Sequence, residues 1–132
     1  MAIRLVGEDS DLSLGIYEVS GEVNLERVFE FRKETTKGRV NRNVILDFSS
    51  ADVSTVDANS MKELIAHGVQ ALAHRRGGMT ILISDNEINR LSIRLYCELA
   101  ALNPDLQVSF HLVRDMEEAQ AMLAERFGPS SA

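Results

Sequence analysis

A single cysteine, Cys97, stands in the 132 residues, so an internal disulfide is excluded and the composition fits a reducing compartment. No apolar stretch approaches the ~20 residues needed to cross a bilayer. The opening Met1-Ala2-Ile3-Arg4-Leu5-Val6 is too short and too soon charged for a secretory signal. Together these give the expectation of a cytoplasmic domain without membrane insertion. Positive charge is scarce as well: Lys+Arg total 14 against 20 Asp+Glu, a net charge of −6. Binding to a phosphate backbone calls for clustered positive surface, so no nucleic acid is expected as a partner. The densest basic stretch, Arg32, Lys33, Lys37, Arg39 and Arg42, reads as a solvated helix end and loop.

Catalytic motifs are missing too. There is no Gly-x-Ser-x-Gly, no phosphate loop and no dinucleotide fingerprint. Cys97 has neither a helix start nor a positively charged neighbour beyond Arg94 to activate it, so a depressed thiol pKa is not indicated. His67 and His74 lie two helical turns apart, ~10.5 Å, too far to share a metal. His111, in the last strand, has no evident partner. Asp47, Asp52 and Asp57 could cradle Mg²⁺ or form a phospho-aspartate site of the receiver-domain kind. Receiver domains also need an acidic pair after the first strand and a lysine after the last, and neither is evident. An enzyme, whether phospho-relay or hydrolase, is therefore disfavoured, and no cofactor or metal is expected.

What is present is an ordinary globular composition, 45% hydrophobic and 26% charged, in a chain long enough for one core. Ile3 to Val6 and Leu12 to Val19 read as strands around a turn, with Gly21 breaking the second. Asn24 caps a helix that ends near Lys37-Gly38. Val44-Ile45-Leu46 is a doubly covered strand ending at Asp47, followed by a polar loop. A long helix from Ala58 to Arg76 carries the stripe Met61, Leu64, Ile65, Gly68, Val69 and Leu72, and Gly77-Gly78 stops it. Met79 to Ile83 is a strand, and a third helix starts at the capping box Ser84-Asp85-Asn86-Glu87 and runs to about Leu102. Val108 to Leu112 is the last strand, and a second capping box, Asp115-Met116-Glu117-Glu118, opens a terminal helix. The order ββαβαβαβα predicts an α/β domain over residues 1–127 with a mixed, mostly parallel sheet packed by helices, then a flexible tail at 128–132.

The run from Val44 to Met61 is the most informative. A strand ends at Asp47, and Asp57-Ala58-Asn59-Ser60 opens the long helix. This resembles the signature of the STAS family, the sulphate transporter and anti-sigma factor antagonist domains, in which an Asp-Ser-Ser-Gly turn opens a helix. Ser20-Gly21-Glu22-Val23-Asn24, Arg75-Arg76-Gly77-Gly78 and Asp115 to Ala119 resemble further family segments in the same order. The resemblance implies a non-enzymatic partner-switching regulator that binds a kinase-type anti-sigma factor. In the family the second serine of the turn accepts a phosphate that blocks this binding. Here that position is Asn59, which cannot be phosphorylated. Ser60 is the candidate acceptor by a one-residue shift, although Ser60-Met61-Lys62-Glu63 also has capping-box spacing. Ser49, Ser50, Ser54 and Thr55 supply further hydroxyls in the loop. The alternative role within the family is a subunit of a transport or lipid-trafficking complex.

A partner surface is expected to combine the loop Ser54 to Ser60, including Thr55, with a polar stripe, Glu63, His67, Gln70 and His74. The third helix has two apolar stripes. Ile88, Leu91, Leu95, Leu99 and Leu102 form the expected core face, and Ile93, Tyr96, Cys97 and Ala100 lie opposite. The second stripe is either packed under neighbouring elements or exposed, where Ile93, Tyr96 and Cys97 would serve a partner or a homodimer contact.

Overall fold

The computed structural model describes residues 1–38 and 40–128. Arg39 of the basic stretch and residues 129–132 of the expected tail lie outside the described residues. The elements are β1 (Ala2–Asp9), β2 (Leu14–Glu22), α1 (Leu25–Glu34), β3 (Asn43–Asp52), α2 (Ala58–Ala71), a 3-10 turn (Ala73–Arg75), β4 (Met79–Ile83), α3 (Glu87–Ala101), β5 (Ser109–Val113) and α4 (Met116–Phe127). The strands lie in the order β1-β2-β3-β4-β5. β1 pairs antiparallel with β2, and the other three pairings are parallel. The fold is the α/β mixed sheet that the alternation of periods predicts.

Three crossovers that step the same way across a sheet, all right-handed, put their helices on one face. Accordingly α1 packs on α2 and α2 on α3, while α4 lies against β4 and β5. Two cores result. Ala119 and Leu123 of α4 close over Leu14, Ile45, Met79 and Ile81. On the opposite face Val19, Val23, Val53, Leu82 and Ile93 form the second core, joined by Tyr96, Cys97 and Phe110.

Several boundaries differ from expectation, each for a local reason. β3 does not end at Asp47 but continues to Asp52, because a register shift between Glu18 and Ser20 lets β2 keep pairing through Ser50, Ala51 and Asp52. β2 likewise passes through Gly21, whose φ of +79° glycine tolerates. α1 stops at Glu34, where the Thr35 N–H turns back to the carbonyls of Phe31 and Lys33. α2 ends at Ala71 and tightens into the 3-10 turn rather than running to Arg76. The cap of α3 is Asn86, whose Oδ1 accepts the Asn89 N–H at 3.0 Å, and Ser84 is buried two residues earlier.

The largest correction concerns the rotation of α3. Ile93 is 6% exposed and Ala100 is buried, with Tyr96 and Cys97 half-buried in the same core. Ile88, Leu91, Leu95 and Leu102, expected inside, are 67%, 66%, 41% and 78% exposed. The polar residues at the helix start decide this. Asn89 donates to the Ala51 carbonyl at 2.9 Å and accepts from the Val53 N–H, and Arg90 donates to the Ser84 carbonyl at 2.6 Å. With Asn89 turned inward, positions 93, 96, 97 and 100 follow it at helical spacing.

Candidate functional site

The site is the end of the sheet where β3 leaves it and α2 begins. Asp52 accepts the Ser54 N–H at 2.8 Å, which turns the chain away from the strand. Val53 is buried and Val56 half-buried, so these two apolar side chains peg the loop down and leave Ser54 and Thr55 exposed above them. Asp57 is the cap of α2, its Oδ1 accepting the Ser60 N–H at 2.8 Å. Bonds from the Ser60 backbone and then its hydroxyl hold the Asp57 carboxyl below the usual carboxylate range. The Ser54 hydroxyl and N–H do the same for Asp52.

Ser60 is thus not the cap of a box with Glu63. It sits in the first turn, half-buried, tied to Asp57. A phosphate there, ~−1.5 to −2 in charge, would be set against the carboxylate its hydroxyl now bonds. Ala58 and Asn59 are exposed at the helix N-terminus, where free N–H groups and the macrodipole present positive potential.

The expected polar stripe of α2 comes apart. Glu63 and Gln70 are exposed. His67 instead faces α1, stacked on Phe29 with ring centroids 4.1 Å apart and 3.0 Å from Arg32 Nη1 through its Nδ1. Burial, then the Arg32 charge, holds its pKa below the ordinary value, so the ring is neutral at pH 7 and accepts that bond. His74 lies in the 3-10 turn, and its Nε2 is buried without a partner among the described residues. Burial and Arg75 push its pKa down as well. Both histidines are half-buried, each with one ring nitrogen turned into the protein. His111 bonds Ser109 Oγ at 2.9 Å.

Ile93, Tyr96 and Cys97 leave the partner surface, because they pack inward. Tyr96 meets Phe110 edge-on at 5.2 Å. Burial pushes the Cys97 thiol up to about 11, so it stays protonated and weakly nucleophilic at neutral pH. Asp47 bonds the Ser49 N–H and hydroxyl. Asp52 and Asp57 therefore each serve a turn and Asp47 bonds within β3, and among the described residues none joins a cluster able to hold a metal ion.

What takes the place of the lost stripe is the ridge Ile88, Leu91, Leu95 and Leu102 along the outside of α3. Asn89 fastens the first turn of this helix to residues 51 and 53, so the ridge begins beside the loop that carries Ser54 and Thr55. At its far end Leu99 and Leu102 meet Lys62, Ile65 and Ala66 of α2 around a shallow depression. The sequence offered two stripes on α3. The signal that separates them is Asn89 and Arg90, polar side chains that turn inward to bond the carbonyls of Ala51 and Ser84. No protein-family model and no curated protein matches the chain. No helix is long and apolar enough to cross a membrane among the described residues.

Proposed function

We propose that this chain is a non-enzymatic protein-binding domain of the STAS kind, an anti-sigma factor antagonist or a relative in a similar partner-switching complex in the cytoplasm. The observation that carries the reading is the exposed aliphatic ridge of α3 beside the polar loop Ser54 to Asn59. Large exposed apolar patches with a polar border are the usual mark of a protein interface. Its candidate partner is a kinase-type anti-sigma factor. With Asn59 where the resemblance places the acceptor, the surface is uncharged at that point and permanently competent.

The ridge also favours a second reading, a subunit of a transport or lipid-trafficking complex, because permanent interfaces are the more hydrophobic ones. Release of a third protein from the partner when this chain binds supports partner switching, and a complex that displaces nothing supports the permanent subunit. The paired substitution Leu91→Ser and Leu95→Ser tests both. Two exposed sites should alter stability little, each within about 0.5 kcal/mol, while affinity for the purified partner falls at least about tenfold. Unchanged affinity in the folded variant would remove the ridge from the interface. A dimer of the wild type that the variant loses would assign the ridge to self-association instead.

A further inference from the structure

Between the sheet and the layer of α1, α2 and α3 lies a cavity of about 530 Å³. Its walls are largely aliphatic, with Val19, Leu46 and Leu82 from the sheet, Val28 from α1, Leu64 from α2 and Ile93 from α3. Cavities of this size, apolar with a few convergent polar groups, are the usual form of small-molecule sites. The two charged groups buried in its wall are both cationic. Arg32 and Arg75 both line the cavity, and they are 6% and 5% exposed.

No carboxylate among the described residues pairs with either guanidinium, since the ion pairs found are Arg4–Glu18, Arg27–Glu34 and Arg114–Glu87. Every recorded partner is neutral. Arg32 donates to the Leu64 carbonyl at 2.7 Å, lies 3.0 Å from His67 Nδ1 and donates to the Tyr96 hydroxyl at 3.2 Å. Arg75 donates from Nε to the Arg42 carbonyl and from Nη2 to the Met79 carbonyl and Thr80 Oγ1. Among the described residues nothing bonds Arg75 Nη1. Burial, then the nearby Arg32 charge, brings Arg75 down to about 10, which still leaves it cationic at neutral pH. Glu8 and Glu34 stand exposed at the rim together with Lys37.

Two buried like charges near each other are costly, and so is a buried charge without a counter-ion. Neutral carbonyls satisfy the N–H groups but not the net charge. We propose that the cavity binds one amphipathic anion, its carboxylate or phosphate head between Arg75 and Arg32 and its aliphatic body along the apolar face of the sheet. A planar guanidinium suits either head group through paired N–H bonds. Tyr96 and Thr80, already on the two arginines, supply hydroxyls at the same place.

The test is calorimetric titration of the whole chain with dodecanoate, dodecyl phosphate and dodecanol, each below its micelle concentration. The expected result is one anion bound per chain, with the alcohol at least about tenfold weaker because it brings no charge to the arginines. The tighter of the two anions identifies the head group. Arg75→Gln should weaken anion binding at least about tenfold, by the usual cost of removing one partner of a buried charged contact. Val28→Trp, which fills the apolar end and leaves both arginines in place, should do so equally. If Arg75→Gln does not fold by circular dichroism, the alcohol comparison and Val28→Trp decide alone. Failure of both anions to bind the wild type, alcohol affinity equal to theirs, or wild-type affinity in folded variants would overturn the proposal.

Discussion

Tyr96→Ala is expected to cost about 3–5 kcal/mol of folding stability, the range for emptying an aromatic site in a core. The side chain belongs to the core between α3 and the sheet and packs edge-on against Phe110 with the rings at 89°. Truncation removes that contact and also the hydroxyl that accepts from Arg32 Nη2 at 3.2 Å. A buried guanidinium would then lose one of its neutral acceptors, and hydrogen bonds to charged groups are worth about 1.5–3 kcal/mol. Tyr96→Phe separates the two contributions, keeping the ring and losing only the hydroxyl. Urea denaturation reads both, as a shift of midpoint at constant slope. A loss below about 1 kcal/mol for Tyr96→Ala, in the range of surface substitutions, would return this residue to the surface.

Gly78→Ala should be nearly as damaging, about 3 kcal/mol or more, for a reason confined to the backbone. A Cβ built on Gly78 would overlap the Arg42 carbonyl oxygen and stand 2.8 Å from its carbon and 2.9 Å from the Arg75 carbonyl oxygen. No side-chain rotation relieves a clash with main chain on both sides. The Arg42 carbonyl also holds Arg75 Nε at 3.1 Å, so moving it disturbs the buried arginine as well. Gly77→Ala makes the comparison. Gly77 has φ +80°, which costs an alanine roughly 1–2 kcal/mol, but its nearest clash is with the flexible end of the Arg42 side chain. Thermal melts should therefore rank Gly78→Ala well below Gly77→Ala, and the reverse order would contradict the close approach at residue 78.

The fold was legible because its signals were long and mutually consistent. Val44-Ile45-Leu46 is a continuous apolar run and Met79 to Ile83 is broken only by Thr80, as strands covered on both faces require. The four α-helices carry side-chain caps at Asn24, Asp57, Asn86 and Asp115. Element ends were less legible where pairing overrides local sequence. The polar stretch Ser49 to Asp52 reads as loop, yet it is strand because a bulge in β2 keeps the ladder in step.

The site was half legible. Asp57 and Asn59 stand at the mouth of α2 as the sequence predicts, since capping is a local matter. The face of α3 was not, because both of its stripes are apolar and hydrophobicity alone prefers the larger residues. Two inward hydrogen bonds from Asn89 reverse that preference, and they depend on residues 36 and 38 positions away. His67 was misplaced for a similar reason. Arg32 and Phe29 reach it from another helix, a contact no periodicity within α2 records. The buried arginines are likewise invisible in a sequence where each looks like part of a basic helix end.

The account turns most directly on the exposed Asn59. Isothermal titration of the purified partner with the wild type and with Asn59→Asp measures it. Both residues suit the first turn of a helix, so the fold should hold and the change reduces to one negative charge at the proposed docking surface. If Asn59 keeps this surface competent by staying uncharged, the aspartate variant binds at least about tenfold more weakly, a difference of about 1.4 kcal/mol. Equal affinity for the two would contradict the account and remove the α2 N-terminus from the interface.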